Sequence, residues 1–319
     1  MRDKNGAFFI ALFILLMIGS LWAQEKKEMH ERFEAKERVR IGTTSGDCII
    51  QIGNSDEIKV DLVYNVQPED AFEPDIEEKG NSLRIRERWY GSSSGRVTWT
   101  LTVPPTTEIE FSTASGDLSV DGLQKLIEAN TASGDITIES SSGEYDISTA
   151  SGDVELTNSS GKIDISTASG DVKFTDNKGE FDLSTASGDI RIRNCSGVFE
   201  ASCASGEIKA TGIVIEEEST FSTASGDVEV NLGQTSEYDL ELSASSGDVS
   251  LDYAGNEIKG YFEFRAKKSS GSIRSPIDFD NEEVYDRHGR DYVKKSFTRG
   301  GNKPVIRIST SSGKAELKE

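Results

Sequence analysis

The chain has 319 residues, 35% of them apolar and 29% charged, a balance that excludes a membrane-embedded or compositionally disordered protein. Acids outnumber bases 56 to 35, a formal charge of −21, which argues against duplex nucleic acid or an anionic membrane surface as a partner of the whole molecule. Thirty glycines beside two histidines, three cysteines and six prolines indicate a turn-rich β protein, with little material for a zinc site or a disulfide framework.

The chain opens as a targeting segment. Arg2 and Lys4 precede an apolar run from Ala7 to Trp22, and Ala23 gives way to Gln24-Glu25-Lys26-Lys27. This is the pattern of a signal peptide over residues 1–23. An uncleaved anchor is the alternative, since about 17–25 apolar residues can span a bilayer. Leu21 is not the small residue favoured at its position before a cleavage site, and no cysteine near the boundary supports lipid attachment. Removing residues 1–23 takes away two bases and one acid and leaves −22. Residues 24–110 read as an N-terminal cap with irregular first coils: a charged lead-in over 24–40, either a short amphipathic helix or frayed, then alternating runs such as Ile58 to Val63 and Leu83 to Arg86.

From residue 111 to 275 a repeat sets the fold. Ser-Gly-Asp recurs with its glycine at Gly116, Gly134, Gly152, Gly170 and Gly188, and as Ser-Gly-Glu at Gly206, each 18 residues from the last. Gly143, Gly161, Gly179 and Gly197 fall midway. Later intervals loosen through Gly226, Gly247 and Gly271, while Gly46 and Gly313 carry the phrase out of step. After each glycine the second and fourth residues are apolar and those between are polar, as in Val154 and Leu156 or Ile163 and Ile165. That alternation makes a strand with one buried face, too short to bury it except by stacking on its copies. The chain is therefore expected to be all-β, a single-chain parallel β-solenoid with 18-residue coils of two short strands each. Residues 18 apart should stack about 4.8 Å apart. The expected columns are Leu118-Ile136-Val154-Val172-Ile190-Ile208 and Ile127-Tyr145-Ile163-Phe181-Phe199, with Thr113, Thr131, Thr149, Thr167, Thr185, Cys203 and Thr223 passing hydrogen bonds from coil to coil. Residues 276–319 read as a loop excursion, from Asp286 to Lys303, followed by closing strands.

Val103-Pro104-Pro105 leading into Phe111-Ser-Thr-Ala-Ser-Gly-Asp117, with the repeated Thr-Ala-Ser-Gly-Asp phrase, resembles DUF4097, an adhesin-type β-solenoid family of unknown function. The resemblance runs from about residue 36 to the end. It implies a parallel solenoid in a protein of the bacterial envelope or a secreted one, and no established activity.

The column Asp117, Asp135, Asp153, Asp171, Asp189, Glu207, Asp227, Asp248 places like charges above one another. Either each carboxylate accepts amides of its own tight turn, helped by Lys173, Arg191 and Lys209, or calcium sits between turns, with Asp135, Asp153, Asp171 and Asp189 as its ligands. Calcium needs six to eight oxygens, and the double glycine of calcium-binding nonapeptide repeats is missing. A second column, Asp146, Asp164, Asp182 and Glu200, reads as a solvated face. Its paired acids also raise a polysaccharide-active enzyme, in which inverting carboxylates stand about 6.5–9.5 Å apart. Bare turns without insertions offer such chemistry no cleft. Cys48, Cys195 and Cys203 are expected as unpaired, packed thiols, and His30 and His288 have no evident partner.

Residues 111–256 carry 27 acids and 7 bases, whereas residues 257–303 carry 8 and 11. The basic stretch interleaves Tyr285, Arg287, Arg290, Tyr292, Lys294, Lys295, Phe297 and Arg299, a pairing of cations and rings suited to contacting a glycan, an anionic polymer or a protein. It reads otherwise as a solvated loop over the last coil. The expectation is a non-catalytic extracytoplasmic protein, located in the periplasm, at the cell surface or secreted. It would act as a monomeric adhesin-like interaction or structural module without a cofactor. Its partner would be an envelope protein or glycan, and no nucleic acid is expected. The alternatives are a calcium-binding repeat protein and a polysaccharide-active enzyme.

Overall fold

A computed structural model describes residues 26–53 and 56–319; the expected leader over residues 1–23 lies outside the described residues. Each 18-residue repeat gives one strand to each of two facing parallel sheets. In sheet A, Val154–Thr157 lies between Ile136–Glu139 and Val172–Thr175, with Val154 opposite both Ile136 and Val172. In sheet B, Ser160–Thr167 lies between Ser142–Thr149 and Lys178–Thr185. Both expected interior columns are buried between the sheets, and Phe174, Phe181, Phe199 and Phe221 form a chain of ring contacts with centroids 5.1–5.8 Å apart. The fold is therefore the parallel β-solenoid that the repeat requires. Among the described residues no helix is long and apolar enough to cross a membrane.

The turns assign their polar side chains opposite roles to those expected. Threonine, not aspartate, caps its own turn: the amides of Gly134, Gly152, Gly170 and Gly188 donate to Oγ1 of Thr131, Thr149, Thr167 and Thr185 at 2.8–2.9 Å. Aspartate reaches the next coil instead. The amides of Asp135, Asp153, Asp171, Asp189 and Glu207 donate to Oδ1 of the aspartate 18 residues earlier at 2.8–3.0 Å. The reach of the side chain favours this: a threonine hydroxyl lies nearest the amide three residues on in its own turn, whereas the longer carboxylate crosses the strand spacing. Among the described residues, coil-to-coil bonds from the threonine column occur at a few positions, such as Thr223 Oγ1 to the Gly206 carbonyl at 3.2 Å.

The opposite turn carries a second ladder. Ser140, Asn158, Asp176 and Asn194 adopt φ of 50–57°, a region that Asn and Asp tolerate better than most residues. The next residues, Ser141, Ser159, Asn177 and Cys195, are buried, and each of the last three accepts the backbone amide of the one before it. Cys195 thus completes a polar column. All three cysteines are free and buried.

Chain order fails at both ends of the stack. The N-terminal coil, Arg38–Gly42 and Asp47–Ile52, is inserted between the later segments 82–103 and 108–121. The C-terminal strand Val305–Lys318 spans both sheets and lies between the coil of 240–252 and that of 260–274. The two out-of-step glycines thereby rejoin the column, Gly46 beneath Gly116 and Gly313 above Gly247.

Antiparallel strands finish each end. Lys27–Glu34 pairs with Glu57–Gln67, which pairs with Ser94–Val103; Phe72–Lys79 pairs with Ser82–Trp89. At the other end Gly260–Lys267 pairs with Asp291–Arg299, and that with Asn281–Asp286. The lead-in expected as helix or frayed chain thus contains a strand, whose charged residues make it a poor template for edge pairing. Its His30 is not partnerless: Nδ1 lies 2.5 Å from Asp61 Oδ1, and that hydrogen bond raises the imidazole pKa. The expected 286–303 excursion is mostly hairpin, turning at His288 and Gly289, both at positive φ, as two-residue hairpin loops require.

Candidate functional site

The outward side of sheet B is a grid of two regular columns. One runs Arg84-Arg40-Glu110-Glu128-Asp146-Asp164-Asp182-Glu200. The other runs Arg86-Gly42-Ser112-Asn130-Ser148-Ser166-Ser184-Ser202 and continues through Ser222, Ser243 and Ser309 to Arg265. Acids fill the centre and guanidinium groups occupy both ends.

In the acidic centre, partial burial and the charges of Asp182 and Asp146 raise the Asp164 pKa; partial burial, Glu200 and Glu180 raise that of Asp182. The turn column behaves oppositely. Burial works to raise the Asp171 carboxyl, but the Asp189 amide and Arg191 outweigh it and hold it low. The signs follow by linkage. A raised folded pKa is a penalty present at neutral pH and relieved as pH falls through that pKa. A lowered one is a stabilisation present above the unfolded value, about 3.9, and lost as pH falls through the folded value. The double variant Asp164→Asn/Asp182→Asn is therefore expected to melt higher than the parent at pH 7, with the gain shrinking toward pH 4. Asp171→Asn should melt lower at pH 7, with the deficit vanishing at strongly acid pH. Thermal melts across that range check both.

Each calcium candidate has at least one carboxylate oxygen engaged, and three of the four have both. Oδ1 of Asp135, Asp153, Asp171 and Asp189 each accepts the next coil's amide. Oδ2 of Asp153 meets Lys173 at 3.1 Å, and Arg191 bridges Oδ2 of Asp171 and Asp189 at 2.8 and 2.7 Å. Lys209 pairs with Glu229 rather than with a turn acid. No cluster of three or more His, Cys, Asp or Glu suited to a metal ion occurs among the described residues.

Strand alternation divides the basic and aromatic segment. Tyr285, Tyr292 and Lys294 fall on the outward face of the hairpin, where the two tyrosine rings stack at 5.9 Å, and Arg287 opens its turn. Arg290 closes the turn through paired backbone bonds with Arg287, and Arg299 ends the strand, exposed. Phe297 and Lys295 point the other way. Phe297 is core, stacked on Phe262 at 4.6 Å, and the Lys295 ammonium lies 5.3 Å from the centre of the Phe279 ring.

The outward residues meet three that the sequence reading passed over. Arg265, Glu283, Tyr285, Arg287 and Lys294 line an open cleft of about 440 Å³. Behind it Glu263 is only 7% exposed and binds both Arg265 and, at 3.0 Å, Lys294. Burial works to raise its carboxyl, but the Lys294 hydrogen bond and the Arg265 charge prevail and keep it ionised, while the same contact raises Lys294. A buried anion thus fixes two cations at the back of an aromatic cleft. The available signal was a lone acid in the apolar run Tyr261-Phe262-Glu263-Phe264, where strand alternation allowed a surface position and the flanking bulk argued for burial.

Among curated proteins none matches the sequence. Solved structures of similar fold include a candidate cell adhesion protein of Clostridium sporogenes, 14% identical, covering 92% of this chain and 99% of its own, with a TM-score of 0.30. A candidate adhesin of Parabacteroides merdae is 8% identical over 93% of this chain and 98% of its own, at TM-score 0.40. A protein of Parabacteroides distasonis described as a candidate lipid-binding protein is 12% identical over 93% and 98%, at TM-score 0.37. The model of the Toastrack DUF4097 family matches residues 90–180 and 178–260, more than half of the chain, and it is to this family that the protein belongs.

Proposed function

We propose that the protein is a non-catalytic, adhesin-like interaction module of the cell envelope that binds acidic groups of a glycan or envelope protein in its C-terminal cleft. The observation that carries this reading is the cleft itself: Arg265 and Lys294 held in place by buried Glu263, with Arg287 and Tyr285 at the rim. Guanidinium forks match carboxylate geometry, and a tyrosine face suits the apolar side of a sugar ring. The acid-rich middle of the sheet repels a polyanion, so the cleft would engage it locally rather than along the whole stack. Family membership and the leader expected over residues 1–23 support an extracytoplasmic setting.

Polygalacturonate and neutral dextran are the test ligands. Binding of polygalacturonate that weakens with salt, falls about tenfold in Arg287→Gln/Tyr285→Ala and is not shared by dextran is the expected result, since such contacts are screened. Equal affinity for dextran, or affinity untouched by the double variant, would overturn the reading. Reducing ends released from polygalacturonate over time would contradict its non-catalytic part.

A further inference from the structure

At the N-terminal end of the same face, Gly42 is a glycine that the backbone does not need. Its φ is not in the left-handed region, and a Cβ there would meet Ser112 Oγ at 3.7 Å and Arg86 Cγ and the Ile85 carbonyl at 4.0 Å, all ordinary contacts. The turn glycines differ: a Cβ at Gly134 or Gly170 would stand 1.8 Å from the carbonyl oxygen below. What the missing side chain does at Gly42 is open a gap in the outward column between Arg86 and Ser112.

The gap is a cavity of about 290 Å³ lined by Arg40, Arg84, Arg86, Ser112, Asn130 and, on the side of the acidic column, Glu110 and Glu128. Two of its three guanidinium groups have unused capacity. Arg40 donates Nε to Glu110 at 2.6 Å. Arg86 has one nitrogen 2.8 Å from Asp75 and 3.5 Å from Glu77, and its Nε, enclosed by the protein, has no acceptor. Arg84, on the exposed face beside Arg40, has no ion pair among the described residues. Planar guanidinium groups match the oxygens of a carboxylate or phosphate two at a time.

We infer that the Gly42 gap is a second binding site, for a terminal oxyanion, phosphate or carboxylate, carried on a unit of about sugar size. Arg84 and Arg86 hold the charge, and Ser112 and Asn130 bond the neighbouring hydroxyls. Glu110 and Glu128 exclude further negative charge on their side, so the recognised group is an end and not the middle of a polyanion. The site stands apart from the C-terminal cleft and does not depend on it.

The experiment is calorimetric titration of the full chain carrying Arg287→Gln/Tyr285→Ala, which weakens the C-terminal cleft, with glucose 6-phosphate, glucuronate and glucose. Binding of at least one of the two acids, with glucose at least tenfold weaker, is expected, and the stronger acid identifies the oxyanion. Arg84→Gln and Gly42→Val should each weaken that binding at least tenfold, and Ser184→Val, in the same column farther along, should leave it unchanged. Binding by neither acid, or affinity that survives Arg84→Gln, overturns the inference. Arg84→Gln alters a partly exposed side chain on the outward face, outside the core, and decides the matter even if Gly42→Val fails to fold.

Discussion

Gly152→Val is expected to abolish the cooperative unfolding of the intact stack, lowering stability by about 3–5 kcal/mol or more. A Cβ at this position would lie 1.9 Å from the Gly134 carbonyl oxygen and 2.6 Å from its carbon. Neither neighbour can retreat. Gly152 has its own oxygen beneath Gly170, where the same approach recurs, and the flanking strands are hydrogen-bonded at about 4.8 Å on both sides. Relief must come from opening the turn, which breaks the bonds from Gly152 to Thr149 and from Asp153 to Asp135. Gly80→Ala is the control. Gly80 has φ of 60° but nothing within 4 Å of a Cβ, so only conformational strain of about 1–2 kcal/mol is expected. Urea titrations followed by far-ultraviolet circular dichroism separate the two.

Phe181→Ala is expected to cost about 3–5 kcal/mol, the usual range for removing a buried phenylalanine. Phe181 touches Phe174 edge-on at 5.5 Å and Phe199 at 5.1 Å, and Phe199 continues to Phe221 at 5.8 Å. The coil above and the coil below are each fixed by their own hydrogen bonds, so the cavity cannot close by collapse. In a quasi-one-dimensional stack the loss is borne by the affected coils and their neighbours. Hydrogen exchange should therefore accelerate over residues 163–203 well before it does over residues 108–131. A uniform acceleration along the chain would show that the stack has no such locality.

The regular coils were legible because their rule is local: Val154 and Val172 obey the same nine-residue grammar of strand and turn. Which polar group bonds which amide was not legible, because Thr149 and Asp153 both sit in a turn rich in unpaired amides and only the reach of each side chain separates their roles. The opposite turn did leave a trace, Asn158, Asp176 and Asn194 at 18-residue spacing, residues that tolerate positive φ. The inserted end coils were hidden for a different reason. Gly46 and Gly313 advertise membership of the column, but a column does not state its order, and long-range pairing of 305–318 between 240–252 and 260–274 is invisible to any local pattern. The cleft was half legible. Tyr285, Arg287 and Lys294 stand out by composition, whereas Arg265 and buried Glu263 join them only through pairing of Gly260–Lys267 with the hairpin.

The insertion of the C-terminal strand is the sharpest consequence of a single stack in which glycine phrases define one column. It is tested by oxidative cross-linking of cysteine pairs on the outward serine column. Ser243 and Ser309 are direct partners on adjacent strands, and Arg265 lies one strand beyond Ser309. Neighbouring parallel strands bring Cα atoms within the 4.4–6.8 Å that a disulfide needs, and a two-strand separation does not. The variant Ser243→Cys/Ser309→Cys should oxidise to a cross-linked monomer, while Ser243→Cys/Arg265→Cys stays reduced under the same conditions. Cross-linking of the second pair and not the first would mean that the coils follow chain order and that residues 305–318 do not lie where the stack requires them.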